Sequence, residues 1–345
     1  MKDIDLESVI GFDALYHSMC KCRKGVIWKD SVAHYCLNAL EETLKLEREL
    51  KTGTYKGRKP FEFTLYYPKK REVLSICFRD RVYQRSLNDV IIYPTMTKSF
   101  IWDNWACQKD KGTDACRDRF KKMLYTFFTH FKLDGWVYQF DIHGYYPNMP
   151  HKTAEGTFQK KLPGNVQERV VTILRDQYKG EAGYNPGSQL IQIAGISVLD
   201  GMDHYIKEQL HCKYYIRYMD DFIIVEHDKQ KLEEIGGKVK AYLNNLGFEI
   251  NEKKTRIYPF REGIPFLGFR FKPTETGKIL LLINPQNVKS QRKKLFRLVA
   301  KAKRGEISRK AVNMAFECWC AHASKGNSHN LLVRMKKYYN ELWKG

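Results

Sequence analysis

The sequence has no long hydrophobic run and no signal-peptide pattern. No stretch approaches the roughly eighteen uninterrupted apolar residues of a membrane-spanning helix, so we expect no membrane partner. The first residues, MKDIDLESVIGFD, are acidic and amphipathic, which makes an intracellular protein the default expectation. Internal repeats and low-complexity tracts are also missing, and 345 residues are enough for two or three domains or one large one.

The spacing of the cysteines does not indicate a disulfide framework. There are nine of them, an odd number without even spacing, which fits a reducing compartment. The segments CKC (20–22) and CWCAH (318–322) could suggest a zinc site. The usual C-x₂₋₄-C spacing is missing, however, and no second pair stands at a matching distance, so buried thiols are the favoured interpretation.

Negative charge is scarce. Lys and Arg number 60 against 39 Asp and Glu, which gives a net charge of +21. Such an excess indicates a polyanionic partner, either nucleic acid or an anionic membrane surface. The aromatic content of 13% suits a chain that stacks on bases as well as packing a core. Residues 284–345 contain ten Lys and five Arg against three Glu in a helical pattern, which predicts a separate basic domain.

Apolar periodicity predicts an α+β organisation in the rest of the chain. Strands and helices do not alternate as regular βαβ units. The predicted helices are 30–51, 79–94 (ending before Pro94), 117–132, 187–210 and 228–247, and the predicted strand elements are 61–68, 69–78, 135–142, the hairpin 214–226, 248–260 and 264–273.

The segment RYMDDFIIV (217–225) places two carboxylates side by side between two apolar runs. The flanking runs predict a hairpin with Asp220 and Asp221 at its tip. Adjacent carboxylates repel, and one tends to hold a proton unless a cation lies between them. The pair is therefore either a solvated turn, since Asp is a common turn residue, or part of a metal site.

Asp141 is a third candidate carboxylate, at the end of the predicted strand GWVYQFDI. Its alternative role is the N-cap of a following helix. A strand end and a hairpin tip at one sheet edge can bring three acids together, and such a group needs divalent cations, of which Mg²⁺ or Mn²⁺ suit oxygen ligands. Two such ions about 3.5–4 Å apart stabilise phosphoryl transfer, so the basic chain is suited to making or breaking phosphodiester bonds.

Several motifs in order resemble the reverse transcriptases. YMDD within strand–turn–strand and FDIHGYYPNM upstream are similar to the palm motifs of that family. YYPKKREVLSICFRDRVYQRSL resembles the fingers motifs, GFEINEKKTRIY the strand segment after the catalytic turn, and IPFLGFRF the primer-grip hairpin. The resemblance covers roughly residues 50–340. Each motif is weak alone, whereas their order and spacing together are specific.

Within the family, the chain most resembles the reverse transcriptases of diversity-generating retroelements. WACQKDKGTDAC (105–116) and CWCAHASKGNSHNLLVRM (318–335) carry this resemblance. In PGSQLIQ, Gly187 and Gln192 match the subgroup, while Ile191 stands where the subgroup has Ser and Pro186 precedes the Gly. Two alternatives stay open: a reverse transcriptase of a retron or phage-defence (antiviral) system, and a non-catalytic RNA-binding or maturase-like protein.

The resemblance implies a right-hand polymerase fold. The expected parts are N-terminal helices and fingers (1–135), a palm with an antiparallel sheet that carries the YMDD hairpin (136–283, with a fingers insertion at about 150–185), and a basic helical thumb (284–345). The implied partners are a template RNA, a primer or cDNA strand, dNTPs and an accessory protein of the retroelement. The implied setting is the cytoplasm, with the gene prokaryotic or phage-encoded.

The resemblance also assigns roles at the acidic centre. Asp141 and Asp220 would bind two Mg²⁺ ions, for which Mn²⁺ could substitute, with Asp221 in support. The main-chain carbonyl of Ile142 would add a ligand. Lys254, in NEKKT, resembles the lysine that protonates pyrophosphate, although Lys253 fits equally well.

Further roles follow by position. Lys69 and Arg71, then Arg79 and Arg81, would hold the triphosphate; the alternative for each is a solvated surface charge. Tyr146 resembles the aromatic residue that blocks a ribose 2′-hydroxyl, Gly187 would let the backbone approach the nascent base pair, and Gln192 would touch the template or the dNTP. The expected phosphate contacts of the thumb are Arg292, Lys293 and Arg297.

Overall fold

The computed structural model describes residues 5–66 and 70–344. The chain divides into two compact units. The first contains Met1–Gly112, Gln139–Ile223 and Glu234–Arg256, and the second contains Thr113–Tyr138, Ile224–Glu233 and Ile257–Gly345. The domain boundaries expected near residues 135 and 283 stay a prediction.

Both helices and strands form regular elements, so the predicted α+β class is confirmed. The helices in chain order are α1 (Glu7–Ile10), α2 (Phe12–Cys22), α3 (Asp30–Leu37), α4 (Ala39–Lys51), α5 (Phe78–Leu87), α6 (Tyr93–Thr97), α7 (Thr113–Phe131), α8 (His151–Lys161), α9 (Gly164–Arg175), α10 (Gln189–Ser197), α11 (Asp200–His204), α12 (Lys229–Asn245), α13 (Pro285–Lys303), α14 (Arg309–Ala323) and α15 (His329–Lys344). The strands are β1 (Phe61–Leu65), β2 (Arg71–Ser75), β3 (Trp136–Phe140), β4 (Tyr214–Tyr218), β5 (Asp221–Glu226), β6 (Arg256–Pro259), β7 (Ile264–Phe266), β8 (Phe269–Pro273) and β9 (Ile279–Ile283).

Three helix predictions need correction. The stretch 187–210 is not one helix: α10 ends at Ser197, the backbone leaves the helical region at Leu199 (φ −92°, ψ 4°), and α11 is followed by a π-helix at Tyr205–Gln209. The stretch 30–51 is two helices, because the backbone leaves the helical region at Asn38 (φ −110°, ψ 33°). The prediction that the helix over 79–94 ends before Pro94 is wrong, since a π-turn at Asn88–Ile92 leads directly into α6. Pro94 lies in the first turn of α6, where its fixed φ is compatible with the helix.

The first unit contains an antiparallel hairpin formed by β1 and β2. Leu65 pairs with Arg71 and Phe63 with Val73, so these side chains share one face. Phe61, Phe63 and Leu65 are exposed on that face by 70%, 39% and 46%, whereas alternation places the buried Leu74 on the other face. The hairpin therefore packs through one face and presents an apolar strip, ending at Arg71, on the other.

A four-stranded sheet has the strand order β4-β5-β3-β6. Strands β3 and β5 each begin in one unit and end in the other. In the first unit, the ring of Phe140 at the end of β3 stacks on Phe222 of β5, with ring centroids 4.5 Å apart. This contact places the ends of the two strands, and hence the residues just beyond them, side by side.

The second unit contains an antiparallel sheet of β7, β8 and β9. Leu267 and Gly268 form the turn between β7 and β8, with φ angles of 45° and 86°. Arg117 of α7 donates to the carbonyl of Leu267 from Nε at 3.0 Å and from Nη2 at 2.9 Å, which fixes the turn.

Residues 284–345 are helical, as the sequence predicts, and helices α13, α14 and α15 pack around one apolar core. Its buried members are Leu295, Val299, Val312, Phe316, Met335 and Tyr339. Asn284 caps α13 by accepting a hydrogen bond from Gln286 N at 2.9 Å, and Pro285 begins the helix. None of the helices in the described part of the chain has the length and apolarity that crossing a bilayer requires.

Candidate active site

The acidic pair lies in a tight hairpin turn, as predicted. Strand β4 ends at Tyr218, Met219 and Asp220 form the turn, and Asp221 begins β5. Met219 has a φ of 58°, in the left-handed region, which is energetically unfavourable for residues other than glycine. Arg217 Nη1 donates to the Met219 carbonyl at 2.9 Å, which stabilises this backbone.

Arg217 itself is fully buried and paired with Asp203, which is equally buried. Its Nε and Nη2 donate to the two Asp203 carboxylate oxygens at 2.7 and 2.5 Å, and Tyr215 Oη donates to Oδ1 at 2.5 Å. Arg217 Nη2 also donates to the carbonyl of Ile196 in α10 at 2.9 Å. Although burial disfavours its charge, the pKa of Arg217 is raised by Asp203. A charged network thus lies directly beneath the turn.

The backbone of Asp141 is held from both sides by the segment after α12. Asp141 N donates to Thr255 Oγ1 at 3.1 Å, and Asn251 N donates to the Asp141 carbonyl at 2.8 Å. The next residue, Ile142, is buried and forms a β-bridge with Ile250. This pairing brings Lys254 to Asp141, with Nζ 3.2 Å from Oδ2. The lysine side chain is 60% exposed, so its ammonium group is open to solvent and substrate.

The carboxylates interact with one another. Burial raises the pKa of Asp220, and the nearby charge of Asp141 raises it further, while Arg217 and Lys254 oppose the shift. Desolvation by the surrounding protein, together with the charges of Asp220 and Asp141, raises the pKa of Asp221 to about 6. The turn therefore holds negative charge that the local cations do not fully balance, and it would favour an added cation.

The donor set fits a divalent ion that also binds substrate oxygens. Over residues 5–66 and 70–344, no three acidic, His or Cys side chains converge into a ready-made metal cage. Asp141, Asp220 and Asp221 are thus neighbours without forming a closed ligand set. Mg²⁺ typically takes one or two carboxylates and completes its shell with water and phosphate oxygens, so an open carboxylate group is compatible with it.

Tyr146 is half-buried and follows Asp141 on the irregular segment after β3. Its neighbour Tyr145 is buried and donates from Oη to the carbonyl of Gly195 in α10 at 2.5 Å. The two tyrosine rings pack edge to face with centroids 5.4 Å apart. Burial raises the pKa of Tyr146, so its hydroxyl stays protonated at neutral pH.

Gly187 and Gln192 lie at the beginning of α10. Ser188 caps the helix, since its Oγ accepts from Ile191 N at 3.1 Å. A Cβ at Gly187 would lie 2.0 Å from the carbonyl oxygen of Leu74 in β2, so only glycine permits this approach of the hairpin. Gln192 is exposed and Ile191 is fully buried, so only the former presents its side chain to solvent.

The predicted triphosphate cations have different environments. Arg71 is exposed at the start of β2. Arg79 is only 7% exposed, pairs with Glu49 and lies over the ring of Tyr55. Its guanidinium is therefore engaged in contacts within the first unit and is not free to bind a triphosphate at the surface. Arg81 is half-buried and donates to the carbonyl of Ile76 at 3.3 Å.

Lys69 lies outside the described residues. Arg292, Lys293 and Arg297 belong to the second unit and are all exposed on α13. The guanidinium of Arg292 stacks over the ring of Tyr338, 4.3 Å from its centroid, which orders one of the three predicted phosphate contacts.

Sequence reasoning missed Arg217, Asp203 and Tyr215, which support the turn, and also Gly195 of α10, whose carbonyl accepts from Tyr145. A signal was present for the ion pair. Arg217 interrupts the apolar strand YYIRY, and Asp203 interrupts the apolar stretch before it. A charged residue at a buried strand position requires a partner of opposite charge. Nothing in the sequence singles out Gly195, because its role depends on what packs against it.

Comparison with protein families gives one match. Residues 103–271 match the family described as reverse transcriptase (RNA-dependent DNA polymerase). That range includes Asp141, Asp220, Asp221 and Lys254, and it supports the predicted polymerase fold. No curated protein matches the chain.

Solved structures of polymerases are similar at low identity. Telomerase from Candida albicans, in complex with a TWJ fragment of telomeric RNA, is 12% identical over 76% of this chain and 55% of its own, with a TM-score of 0.47. Apo telomerase from Candida tropicalis is 12% identical over 71% and 53%, with a TM-score of 0.48. The Sicinivirus 3Dpol RNA-dependent RNA polymerase is 13% identical over 65% and 50%, with a TM-score of 0.41. The chain thus spans about half the length of each.

Replacing Arg217 with Met should lower the free energy of unfolding by about 3–5 kcal/mol, because Asp203 would remain buried without its cation. The double variant Arg217→Met/Asp203→Leu should regain much of that loss. Urea unfolding measures both. Arg175→Met is the matched control, since Arg175 pairs with Glu155 while 61% exposed, and it should cost at most about 1 kcal/mol. Equal losses for Arg217→Met and Arg175→Met would contradict the structural weight given to the buried pair.

Asp221→Asn should raise the melting temperature at neutral pH by about 2–4 °C in the presence of a chelator. The pKa of Asp221 rises from 3.8 to about 6 on folding, so the folded wild type loses stability as the pH rises between these values. The variant has no such group, and the difference in melting temperature should vanish at about pH 4 and be complete above about pH 6. A pH-independent difference between the two proteins would contradict this.

Proposed function

We propose that the chain copies a template RNA into cDNA by two-metal nucleotidyl transfer. The premise is the match of residues 103–271 to the reverse transcriptase family, whose members are RNA-directed DNA polymerases. One observation supports this most strongly: a rigid turn holds Asp220 and Asp221 beside Asp141, with more negative charge than the nearby cations balance. That arrangement suits the binding of divalent ions together with a polyphosphate substrate.

Asp141 and Asp220 would bind the two Mg²⁺ ions, with Asp221 and the main-chain carbonyl of Ile142 in support; Mn²⁺ could substitute. When bound, such ions lower the pKa of a primer 3′-hydroxyl and neutralise the triphosphate. The chain itself supplies orientation. The hydrogen bonds of Thr255 and Asn251 fix the backbone of Asp141, and Arg217 fixes the turn that presents Asp220.

We assign Lys254 as the proton donor to the leaving pyrophosphate. Its Nζ already lies 3.2 Å from Asp141, and most of its side chain is exposed, so a phosphate group can reach it. A general acid must be positioned first and have a suitable pKa second, and the hydrogen bonds between segment 251–255 and Asp141 provide that positioning.

Four further residues would form the nucleotide pocket. Tyr146 would exclude a ribose 2′-hydroxyl, Gly187 and Gln192 would border the nascent base pair, and Arg71 would bind the triphosphate from the exposed face of the hairpin. Lys69 and Arg81 remain secondary candidates. Arg79 is less suited, because its guanidinium is buried against Glu49.

The C-terminal helices would act as a thumb that tracks the duplex backbone. Residues 284–345 contain fifteen Lys and Arg against three Glu. The exposed side chains of Arg292, Lys293 and Arg297 follow one face of α13 and would bind phosphates without regard to sequence. In this proposal residues 1–135 contribute the fingers and residues 136–283 the palm.

At a finer level, we propose that the chain belongs to a diversity-generating retroelement of a prokaryote or its phage and acts in the cytoplasm. Segments 105–116 and 318–335, together with Gly187 and Gln192, support this assignment. The partners would be a template RNA, dNTPs and an accessory protein of the retroelement. Such an enzyme would insert wrong bases mainly opposite template adenines.

A reverse transcriptase of a retron or phage-defence system is the second candidate. Ile191 favours it, because this residue departs from the diversity-generating pattern. A non-catalytic RNA-binding or maturase-like role is disfavoured. Clustered carboxylates that repel one another lower stability, and a protein that only binds RNA gains nothing from them.

Asp220→Asn should abolish dNTP incorporation in a primer-extension assay on an RNA template while leaving the melting temperature unchanged or higher. The amide keeps the volume of the side chain and removes one of the charges that would bind Mg²⁺. Asp118→Asn, on the exposed side of α7, should extend the primer like the wild type. Near-normal extension by the Asp220 variant would refute its catalytic assignment.

Changing Arg292, Lys293 and Arg297 together to Ala should weaken binding to an RNA–DNA duplex and reduce the slope of log K against log [salt] by about two to three units. Each lost phosphate contact removes about one unit. Lys121→Ala/Lys122→Ala on α7 removes exposed charges outside the proposed thumb face and should leave the slope unchanged. The thumb assignment fails if both variants keep the wild-type slope.

Sequencing cDNA made in vitro from a defined RNA tests the finer assignment. A diversity-generating enzyme should show misincorporation concentrated at template adenines. Because one misplaced hydrogen bond costs only about 1–3 kcal/mol of discrimination, a loosely held base pair can produce such errors. Error rates equal across the four template bases would favour the retron or defence candidate instead.

A further inference from the structure

Helix α10 lacks a side chain at the point where Tyr146 packs on it. Gly195 lies in the middle of α10 and is buried, and a Cβ placed there would lie 2.5 Å from Tyr146 Oη, 2.9 Å from Cζ and 3.0 Å from Cε1. These distances are shorter than carbon atoms tolerate, so the ring occupies the space that any other residue would fill. The ring of Tyr146 thus rests directly on the helix backbone.

The ring is held there by contact rather than by a hydrogen bond. Within the described part of the chain, the Tyr146 hydroxyl is buried and has no hydrogen-bond partner. The residue as a whole is only half-buried. The buried hydroxyl end of the side chain lies against the buried Gly195, so the exposed part of the residue lies away from this contact.

The helix cannot move away to make room. Tyr145 Oη donates to the carbonyl of Gly195 at 2.5 Å, and Arg217 Nη2 donates to the carbonyl of the next residue, Ile196, at 2.9 Å. Ala194 and Ile196 on either side are fully buried. A side chain added at position 195 would therefore displace the tyrosine ring and leave the helix in place.

We propose that Gly195 positions the proposed gate residue: by having no side chain, it sets how far the Tyr146 ring reaches into the nucleotide pocket. This inference rests on the proposed polymerase function and on the role of Tyr146 within it. Gly195 acts through Tyr146 and is a positioning residue, since it need not touch the nucleotide.

The direction of the effect follows from the geometry. A methyl group at position 195 pushes the ring of Tyr146 away from α10, and in this proposal it narrows the nucleotide pocket that the ring borders. The sugar of a dNTP would then fit less well, while an rNTP, which is bulkier, would fit no better. Small displacements of this kind reduce productive binding more than they change the chemistry, which lies at Asp141 and Asp220.

The experiment compares Gly195→Ala with Gly156→Ala in single-nucleotide primer extension. Gly156 lies in α8, and a Cβ there would meet no atom within 4 Å, so it controls for the general effect of adding a methyl group to a helix. Gly195→Ala should raise KM for the dNTP about tenfold with kcat within about threefold, and it should not increase rNTP incorporation. Gly156→Ala should keep the wild-type KM. The inference is overturned if Gly195→Ala also keeps it.

Two further variants separate this inference from the proposed function. Tyr146→Ala should admit rNTPs, and adding Gly195→Ala to it should change neither KM nor the dNTP/rNTP ratio, because the displaced ring is gone. A Tyr146→Ala variant that still rejects rNTPs would count against the proposed gate itself. An additive tenfold effect of Gly195→Ala in the Tyr146→Ala background would overturn the role of Gly195 alone. This background also provides the test if Gly195→Ala by itself fails to fold.

Discussion

The candidate site depends on one buried ion pair, between Arg217 and Asp203. Burying two charges is costly, and only close, hydrogen-bonded contact offsets the desolvation. Here the guanidinium meets both carboxylate oxygens, and it has donors left for the carbonyls of Met219 and Ile196. The Arg217 side chain therefore links the acidic turn to α10 and α11. Strand β4, the two helices and the turn are held in fixed relative positions because all of them contact the Arg217 guanidinium.

The acidic centre shows the opposite balance. Arg217 and Asp203 are close partners, whereas Asp220 and Asp221 have raised pKa values. Among the residues that the structure describes, the cations that oppose these shifts are Lys254 and, for Asp220, Arg217. The two groups of charges therefore have different consequences. The satisfied network gives rigidity, and the unsatisfied carboxylates give affinity for cations. A chain with the Arg217–Asp203 network but without the carboxylates would be a stable scaffold. A chain with the carboxylates but without that network would not hold them in place.

Local pattern was enough to predict the hairpin with its two aspartates and the helical character of residues 284–345, because each depends on neighbours in sequence. Asp141 was predicted because its strand ends beside it. The support of the turn was not predicted, since Arg217 and Asp203 are fourteen residues apart and meet only through the packing of β4 on α11. Arg79 shows the same limit: its position suggested a surface cation, and tertiary packing placed it against Glu49. The continuation through Pro94 needed a π-turn that no propensity indicates.

If the proposed function holds, the left-handed backbone at Met219 has a consequence for the time course of polymerisation. A polymerase repeats one reaction at every template position, with ions, nucleotide and pyrophosphate entering and leaving each time. The unfavourable φ of this residue is stabilised by Arg217, a group within the protein that no substrate displaces. The turn therefore need not be rebuilt at each addition. In the proposed polymerase, the acidic turn would keep the same backbone shape from one nucleotide to the next.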